Sequence, residues 1–205
     1  SGDERDYSIL PIDELMTAMS EKLNERFPGN IFSQGYADHS LATASWSFPA
    51  QRDELLETYD KALVAHGQKH LASKFTPGVR FTTSDVGVAA ASVSALLTGG
   101  QYPIRIGNVV SVHHRRQTKV RDFYSSLDML FAQFADTIKK LESLLDLTLC
   151  YPVNAMTLAC KKLAMPKAAA MEAIEMFRMA VGETPASAHD VYMAMQEILF
   201  ILKTG

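Results

Sequence analysis

The sequence is poor in cysteine, with only Cys150 and Cys160, and this scarcity excludes a disulfide-stabilised secreted scaffold. The two thiols are ten residues apart, a spacing that matches no C-x-x-C or zinc-ligand motif. Both lie within a helical pattern, where buried free thiols are common. We therefore expect both cysteines to be reduced.

Long hydrophobic runs are also missing. The longest apolar stretch, residues 86–97, is interrupted by serines and falls short of the ~20 residues that cross a bilayer. No leader segment follows Ser1 and Gly2, which we interpret as the remnant of a cleaved tag. These features predict a cytoplasmic protein without a membrane partner.

The sequence contains no P-loop, dinucleotide-binding, zinc-protease or hydrolase signature. Two histidine pairs remain as metal candidates. His113 and His114 are adjacent, and adjacent side chains of a strand point to opposite faces; His66 and His70 are separated by the helix-weakening Gly67. We predict no catalytic residue, no cofactor and no metal.

The segment Thr82-Thr83-Ser84-Asp85 is the remaining candidate for chemistry, because hydroxyls and a carboxylate can orient a ligand. A turn that satisfies its own backbone through Ser84 and Asp85 is the simpler interpretation. An enzyme using these groups with His113 or His114 would require them to converge in one pocket.

With 205 residues, of which 47% are hydrophobic, the chain is sized for one α+β domain over residues 1–205. The N-terminal half is predicted to form a small, mostly antiparallel sheet with two helices. Apolar residues at every fourth position indicate the helices, and alternation indicates the strands. Helices are predicted over residues 12–27 and 51–65, and strands over 41–48, 79–83 and 104–112.

Three parts of this half have less regular patterns. Residues 29–38 and Pro77-Gly78 have the composition of turns. The small-residue stretch from Val86 to Leu97 suits a packed helix or a buried strand, and we favour the helix. Gly107-Asn108 predicts a bulge or a hairpin turn within the last strand.

From Asp122 onward the pattern is helical. Apolar residues from Phe123 to Leu145 step by threes and fours, which predicts one long helix from Asp122 to Leu149. Three further helices are predicted over residues 152–164, 166–181 and 187–203, joined by short loops as an antiparallel cluster. Residues 122–205 would thus form a helical subregion.

Charge is unevenly distributed along a chain whose formal net charge is −3. Residues 1–60 hold 12 acidic and 4 basic residues, whereas residues 61–121 hold 9 basic residues and one acid, Asp85. Such asymmetry points to an anionic partner, although the acidic first segment could neutralise the basic one internally.

The strongest local feature is the run from His113 to Arg121, which has four fixed cations, two imidazoles and no acid. Arginine pairs phosphate bidentately, and lysine adds a mobile charge. Cations before a helix N-terminus oppose its dipole, so an acid or a bound anion must compensate them. Contact with nucleic acid or another anion, an internal salt-bridge cluster and a protein interface all stay open. The candidate phosphate contacts are Arg105, Arg115, Arg116, Lys119 and Arg121, supported by Lys69, Lys74 and Arg80.

Aromatic and methionine residues offer two further surfaces. Tyr102 and Tyr124 flank the basic run and are the rings available for stacking on bases. The C-terminal helices carry Met165, Met171, Met176, Met179, Met193 and Met195. Methionine-rich faces can form adaptable binding grooves, but they are more often core filler, and their exposure decides between the two.

Three segments resemble a family of uncharacterised phage- and plasmid-like proteins, a domain of unknown function carried on mobile elements and prophages. They are Arg80 to Gly87, Ile104 to His114 before a helix, and Thr184 to Leu199. The resemblance spans roughly residues 40–200, with Val86 where that family often has glycine. It implies a mobile-element context, in which nucleic-acid transactions or interference with host defence are expected.

The sequence thus predicts a non-catalytic mobile-element protein that binds nucleic acid through its basic segment. The alternative is a protein-interaction module, such as an inhibitor of a host defence factor or a homo-oligomer, that uses the methionine-rich helices.

Changing Arg115→Glu together with Arg116→Glu should weaken oligonucleotide binding, because two phosphate-pairing cations become repulsive anions. Fluorescence anisotropy with labelled single- and double-stranded oligonucleotides measures this. Unchanged affinity would remove these two residues from the site.

Overall fold

The computed structural model describes residues 11–37, 41–84, 90–100, 102–112 and 120–204, with side chains as far as residue 198. It confirms the predicted α+β class. The helices are α1 (Ile12–Arg26), α2 (Arg52–Ala65), α3 (Val120–Ala132), α4 (Phe134–Ser143), α5 (Pro152–Lys162), α6 (Lys167–Val181) and α7 (Ala188–Thr204). The strands are β1 (Ile31–Ala37), β2 (Ala42–Ser47), β3 (Thr76–Thr83), β4 (Ala91–Thr98), β5 (Ile104–Val112), β6 (Thr148–Leu149) and β7 (Ala186–Ser187).

The first five strands form an antiparallel sheet in the order β1-β2-β3-β4-β5, so each strand pairs with its neighbour in the chain. The predicted alternation sets the two faces of this sheet. Ala44, Trp46, Val79 and Phe81 lie on the face we call the core face, which packs with α1 to α4 into the first hydrophobic core. The opposite face, which we call the open face, carries the residues between them.

The stretch from Val86 to Leu97 was expected to be a helix, and this expectation was wrong from residue 91 onward. Residues 91–98 form β4, which pairs with β3 on one side and β5 on the other. Its small residues carry no period that separates a buried strand from a packed helix. The strand is selected by its two neighbours, because both edges of β4 find backbone partners there.

Two segments expected to be turns also lie within strands. Residues 31–37 form β1, whose backbone pairs with β2 although all seven residues are exposed. Pro77 and Gly78 lie near the start of β3, where the missing N–H of a proline is tolerated. Of the bulge and the hairpin turn predicted at Gly107-Asn108, the structure has the bulge: Gly107 has φ 64°, and the register of β5 against β4 shifts there.

The predicted long helix is divided. The apolar stripe from Phe123 to Leu145 is buried as expected, but the helix breaks at Gln133 and ends at Ser143. The Gln133 N–H still donates to Met129 O at 3.1 Å, so the break loses little backbone pairing and leaves the stripe's period intact. The helix ends early because the carbonyls that follow it accept hydrogen bonds from the start of α7. Leu144 O accepts from the N–H of His189 at 3.1 Å, and Leu147 O accepts from the N–H of Ala188 at 2.7 Å.

The C-terminal helices α5, α6 and α7 surround a second hydrophobic core, which includes Met156, Ala173, Phe177 and Ile198. Their predicted positions are confirmed to within a few residues. Cys160 is buried there and Cys150 is exposed, and both are free thiols. Among the described residues, no helix combines the length and apolar composition that crossing a bilayer requires. The assignment of residues 1–205 to a single domain stays a prediction.

A buried hydrogen bond joins α2 of the first core to α7 of the second. Tyr59 Oη and His189 Nε2 are 2.6 Å apart, and both residues are fully buried. His189 Nδ1 has no partner among the described residues. Burial lowers the pKa of His189 to about 4, outweighing the opposing effect of Asp190. The imidazole is therefore neutral in the folded protein at neutral pH.

The free energy of unfolding should fall as the pH decreases from about 6.5 toward 4. The unfolded state binds a proton on His189 in this window and the folded state does not, so acid favours unfolding by about 3 kcal/mol at most. Urea denaturation between pH 4 and pH 7.5 measures the slope. His189→Gln should reduce this slope, whereas the control His70→Gln, at an exposed position, should preserve it. Equal slopes in the wild type and His189→Gln would contradict this explanation.

Candidate anion-binding site

The five-stranded sheet contains only two charged residues, Arg80 in β3 and Arg105 in β5. None of its strands contains an aspartate or glutamate. A partly buried cation such as Arg80 is normally paired with a carboxylate, and the strands around it offer none. The sheet therefore presents positive charge that its own strands do not neutralise.

Strand register places both arginines on the open face. Arg80 stands opposite Ser94, and Arg105 stands opposite Leu96, two residues further along β4. Since alternate residues of a strand share a face, Arg80 and Arg105 lie on the same side with β4 between them. The same side carries the hydroxyl residues Thr43, Ser45, Ser47, Thr76, Thr82, Ser92, Ser94, Thr98 and Ser111.

The Arg80 guanidinium is half-buried, and its Nε donates a hydrogen bond to Ser45 Oγ at 3.2 Å. No ion pair between described residues involves it. Burial lowers the pKa of Arg80, and the nearby charge of Arg105 lowers it further. Both effects disfavour the cation, which nevertheless stays charged. An anion at this position would offset both the burial of the cation and its repulsion by Arg105. It supplies opposite charge and accepts hydrogen bonds from the remaining guanidinium N–H groups.

The backbone of Arg105 is held by α7 at the edge of the sheet. Its N–H donates to Gln196 Oε1 at 3.1 Å, and its carbonyl accepts the Tyr192 hydroxyl at 2.5 Å. These contacts cover backbone groups of an edge strand that would otherwise be open to pairing with another chain. They also fix the strand that places the exposed Arg105 side chain on the open face.

A cavity of about 370 Å³ lies beside Arg80. The β1 strand forms one wall through Ile31, Ser33 and Gln34, and the floor includes Ser45, Ser47, Arg80 and Leu96. Thr76, Thr98, Pro49 and Pro103 line the end at which β3 begins and β4 ends. Next to Arg80 in β3, a Cβ at Gly78 would lie 2.3 Å from the backbone oxygen of Trp46, so the close approach of β2 and β3 requires glycine there.

A second cavity of about 370 Å³ lies between the start of α5 and the end of α6. Its cation, Arg178, already forms an ion pair with Glu175 at 2.7 Å. The Arg80 cavity is the better anion site because its cation has no such partner among the described residues.

The structure brings together only part of the predicted basic site. Arg80 and Arg105 share the open face, while Lys69 and Lys74 are exposed in the connection between α2 and β3. Arg121 is exposed at the start of α3, which follows the opposite end of β5. Arg115, Arg116 and Lys119 lie outside the described residues, as do His113, His114 and Asp85.

The acidic first segment pairs with other cations. Asp60 accepts from Arg52 at 2.5 Å, and Glu57 accepts from Lys61 at 2.6 Å. Within the described part of the chain, no ion pair involves the basic residues predicted for the site. No contact in the described part of the chain therefore supports the interpretation that the basic residues form an internal salt-bridge cluster.

Other sequence candidates are engaged elsewhere. The Tyr102 hydroxyl donates to Glu197 Oε1 at 3.2 Å, and the Tyr124 hydroxyl donates to Glu21. His66 Nε2 lies 3.1 Å from Asp146 Oδ1, and the described residues include no group of three metal-ligating side chains. The aromatic residue on the open face is instead Tyr36, which is 59% exposed.

Sequence reasoning missed the hydroxyl residues around Arg80. The available signal was the alternation itself: serine and threonine occupy the positions between apolar residues in β2, β3 and β4, and acids are absent. The methionine set divides in the structure. Met171, Met176 and Met179 of α6 are exposed, whereas Met165, Met193 and Met195 are half-buried.

No family model, no curated protein and no solved structure matches the chain. Evidence for its function therefore comes from the charge and geometry of the site.

Proposed function

We propose that this protein is a non-catalytic binding protein that contacts nucleic-acid phosphates through Arg80 and Arg105 on the open face. The observation that carries the proposal is the pair of cations in a sheet without acidic residues. A guanidinium without a carboxylate partner has N–H donors left for an external acceptor. Phosphate suits this arrangement because its oxygens accept bidentate hydrogen bonds from arginine.

The open face also supplies uncharged contacts. Serine and threonine hydroxyls commonly donate to phosphate oxygens in complexes with nucleic acid. Arg80 and Arg105 lie two strands and two residues apart, about 12 Å between their backbones, so the two side chains can engage different phosphates of one strand. Tyr36 presents an exposed ring at the far edge of the same face, where a base could stack.

The remaining cations predicted from the sequence would extend this contact. Lys69 and Lys74 are exposed in the connection between α2 and β3, Arg121 is exposed at the start of α3, and Arg115, Arg116 and Lys119 lie in the chain between β5 and α3. The mobile-element context, implied by the resemblance to phage- and plasmid-like proteins, fits such a role and belongs to the proposal. So does a location in the cytoplasm.

A second candidate function is a protein-interaction module, and the exposure of three methionines on α6 favours it. Met171 is 60% exposed, Met176 49% and Met179 81%. Flexible thioether side chains adapt to varied partners, as in an inhibitor of a host factor or a homo-oligomer. Salt distinguishes the two candidates, since phosphate contact weakens as salt increases and apolar association does not.

Arg80→Gln and Arg105→Gln should each weaken binding to a single-stranded oligonucleotide and reduce the slope of log affinity against log salt by about one. Each variant removes one phosphate-pairing charge, and glutamine keeps a hydrogen-bond donor. Fluorescence anisotropy titrations at several salt concentrations measure both quantities. Association that is unaffected by salt would favour the α6 surface.

The matched control is Arg178→Gln, which removes the same charge from an exposed position on α6. It should leave the salt slope at the wild-type value. If all three variants lose affinity equally, the effect is one of net charge and the open face has no special role.

A further inference from the structure

We infer that the cavity beside Arg80 binds a phosphomonoester, the terminal phosphate of a nucleic-acid strand or of a mononucleotide, in preference to an internal phosphodiester. This inference rests on the proposed function and names the group that the open face recognises. It is carried by the donors that converge on the cavity, by their total charge and by its shape.

The lining of the cavity contains several hydrogen-bond donors. Ser45 Oγ already accepts from Arg80 Nε at 3.2 Å, so its own O–H remains to donate outward. The hydroxyls of Ser47 and Thr76 and the amide of Gln34 also line the cavity. Among the described residues, no carboxylate lines it. A monoester offers three terminal oxygens to these donors, whereas an internal diester offers two.

The charge of the site also matches a monoester. Arg80 and Arg105 together provide two positive charges, and Arg105 is close enough to depress the pKa of Arg80. A phosphomonoester carries about −1.5 to −2 charges at neutral pH, whereas each internal diester carries a single charge. A terminal phosphate at Arg80 therefore compensates more of this positive charge than an internal phosphate would at the same place.

The two ends of the cavity along the sheet differ in their lining. Pro49 follows β2 and Pro103 precedes β5, so both stand at the end of the sheet where the cavity lies. At the other end of the face, Thr43 and Thr82 continue the floor with their hydroxyls 3.5 Å apart. A phosphate held at Arg80 thus has the two prolines on one side along the sheet and the hydroxyl-lined floor on the other, where its nucleoside can lie.

The test compares oligonucleotides of one sequence that carry a terminal phosphate at the 5′ end, at the 3′ end or at neither end, by fluorescence anisotropy. A terminal phosphate on one of the two ends should increase the affinity about tenfold or more. Competition by a nucleoside monophosphate and by inorganic phosphate distinguishes a strand end from a free nucleotide as the source of the phosphate.

Two variants locate the effect. Arg80→Gln should abolish the gain from the terminal phosphate, and Ser47→Ala, a milder change in the cavity floor, should reduce it several-fold. Arg105→Gln should weaken all oligonucleotides. The control Arg178→Gln should preserve the gain.

The outcomes separate this inference from the proposed function. If all oligonucleotides bind equally and remain sensitive to Arg80→Gln, the phosphomonoester inference is overturned and the proposed function stands. If a nucleoside monophosphate binds in a direct titration and Arg80→Gln abolishes this binding, but no oligonucleotide binds, the cavity is a phosphomonoester site and the proposed function is overturned. If neither ligand binds, both are overturned.

Discussion

The positive charge of Arg80 is the constraint around which the described site is organised. Its guanidinium sits half-buried on a sheet face, with Ser45 as a neutral partner and Arg105 as a second cation nearby. Removing a charge from water is unfavourable unless an opposite charge or several hydrogen bonds replace the solvent. Since the strands contain no acid, an external anion is the simplest means of completing this environment.

The rest of the fold holds this face in place. Helices α1 to α4 cover the core face, so β2, β3 and β4 present their hydroxyl residues on the other side. Helix α7 fixes the β5 edge through Gln196 and Tyr192, and it is anchored in turn by the buried contact between Tyr59 and His189. The orientation of Arg105 therefore depends on an element that follows it by more than eighty residues in the chain.

Much of the fold could be predicted because the core-forming patterns are periodic. The alternation through Trp46 and the stripe from Phe123 to Leu145 both identify the residues that are buried in the structure. Where the period is missing, prediction failed: β4 consists of small residues, and only its pairing with β3 and β5 makes it a strand. The break at Gln133 preserves the apolar spacing and therefore leaves no sign in the sequence.

The site was only partly predictable for a related reason. Arg80 and Arg105 could be named as cations, but they lie 25 residues apart in the chain. Only the register of β3, β4 and β5 places them on one face. The partner Ser45 lies on yet another strand, and its role depends on the same long-range pairing. A local basic run, by contrast, is visible in the sequence, which explains why residues 113–121 dominated the prediction.

The most direct test of the account is a side-chain NMR titration that follows the Nε–H signal of Arg80 as inorganic phosphate is added at constant ionic strength, with chloride as the balancing anion. If Arg80 completes its environment with a phosphate group, this signal should shift and saturate, while that of the ion-paired Arg178 should not. An Arg80 signal that stays unchanged throughout the titration would contradict the assignment of an anion site to the open face.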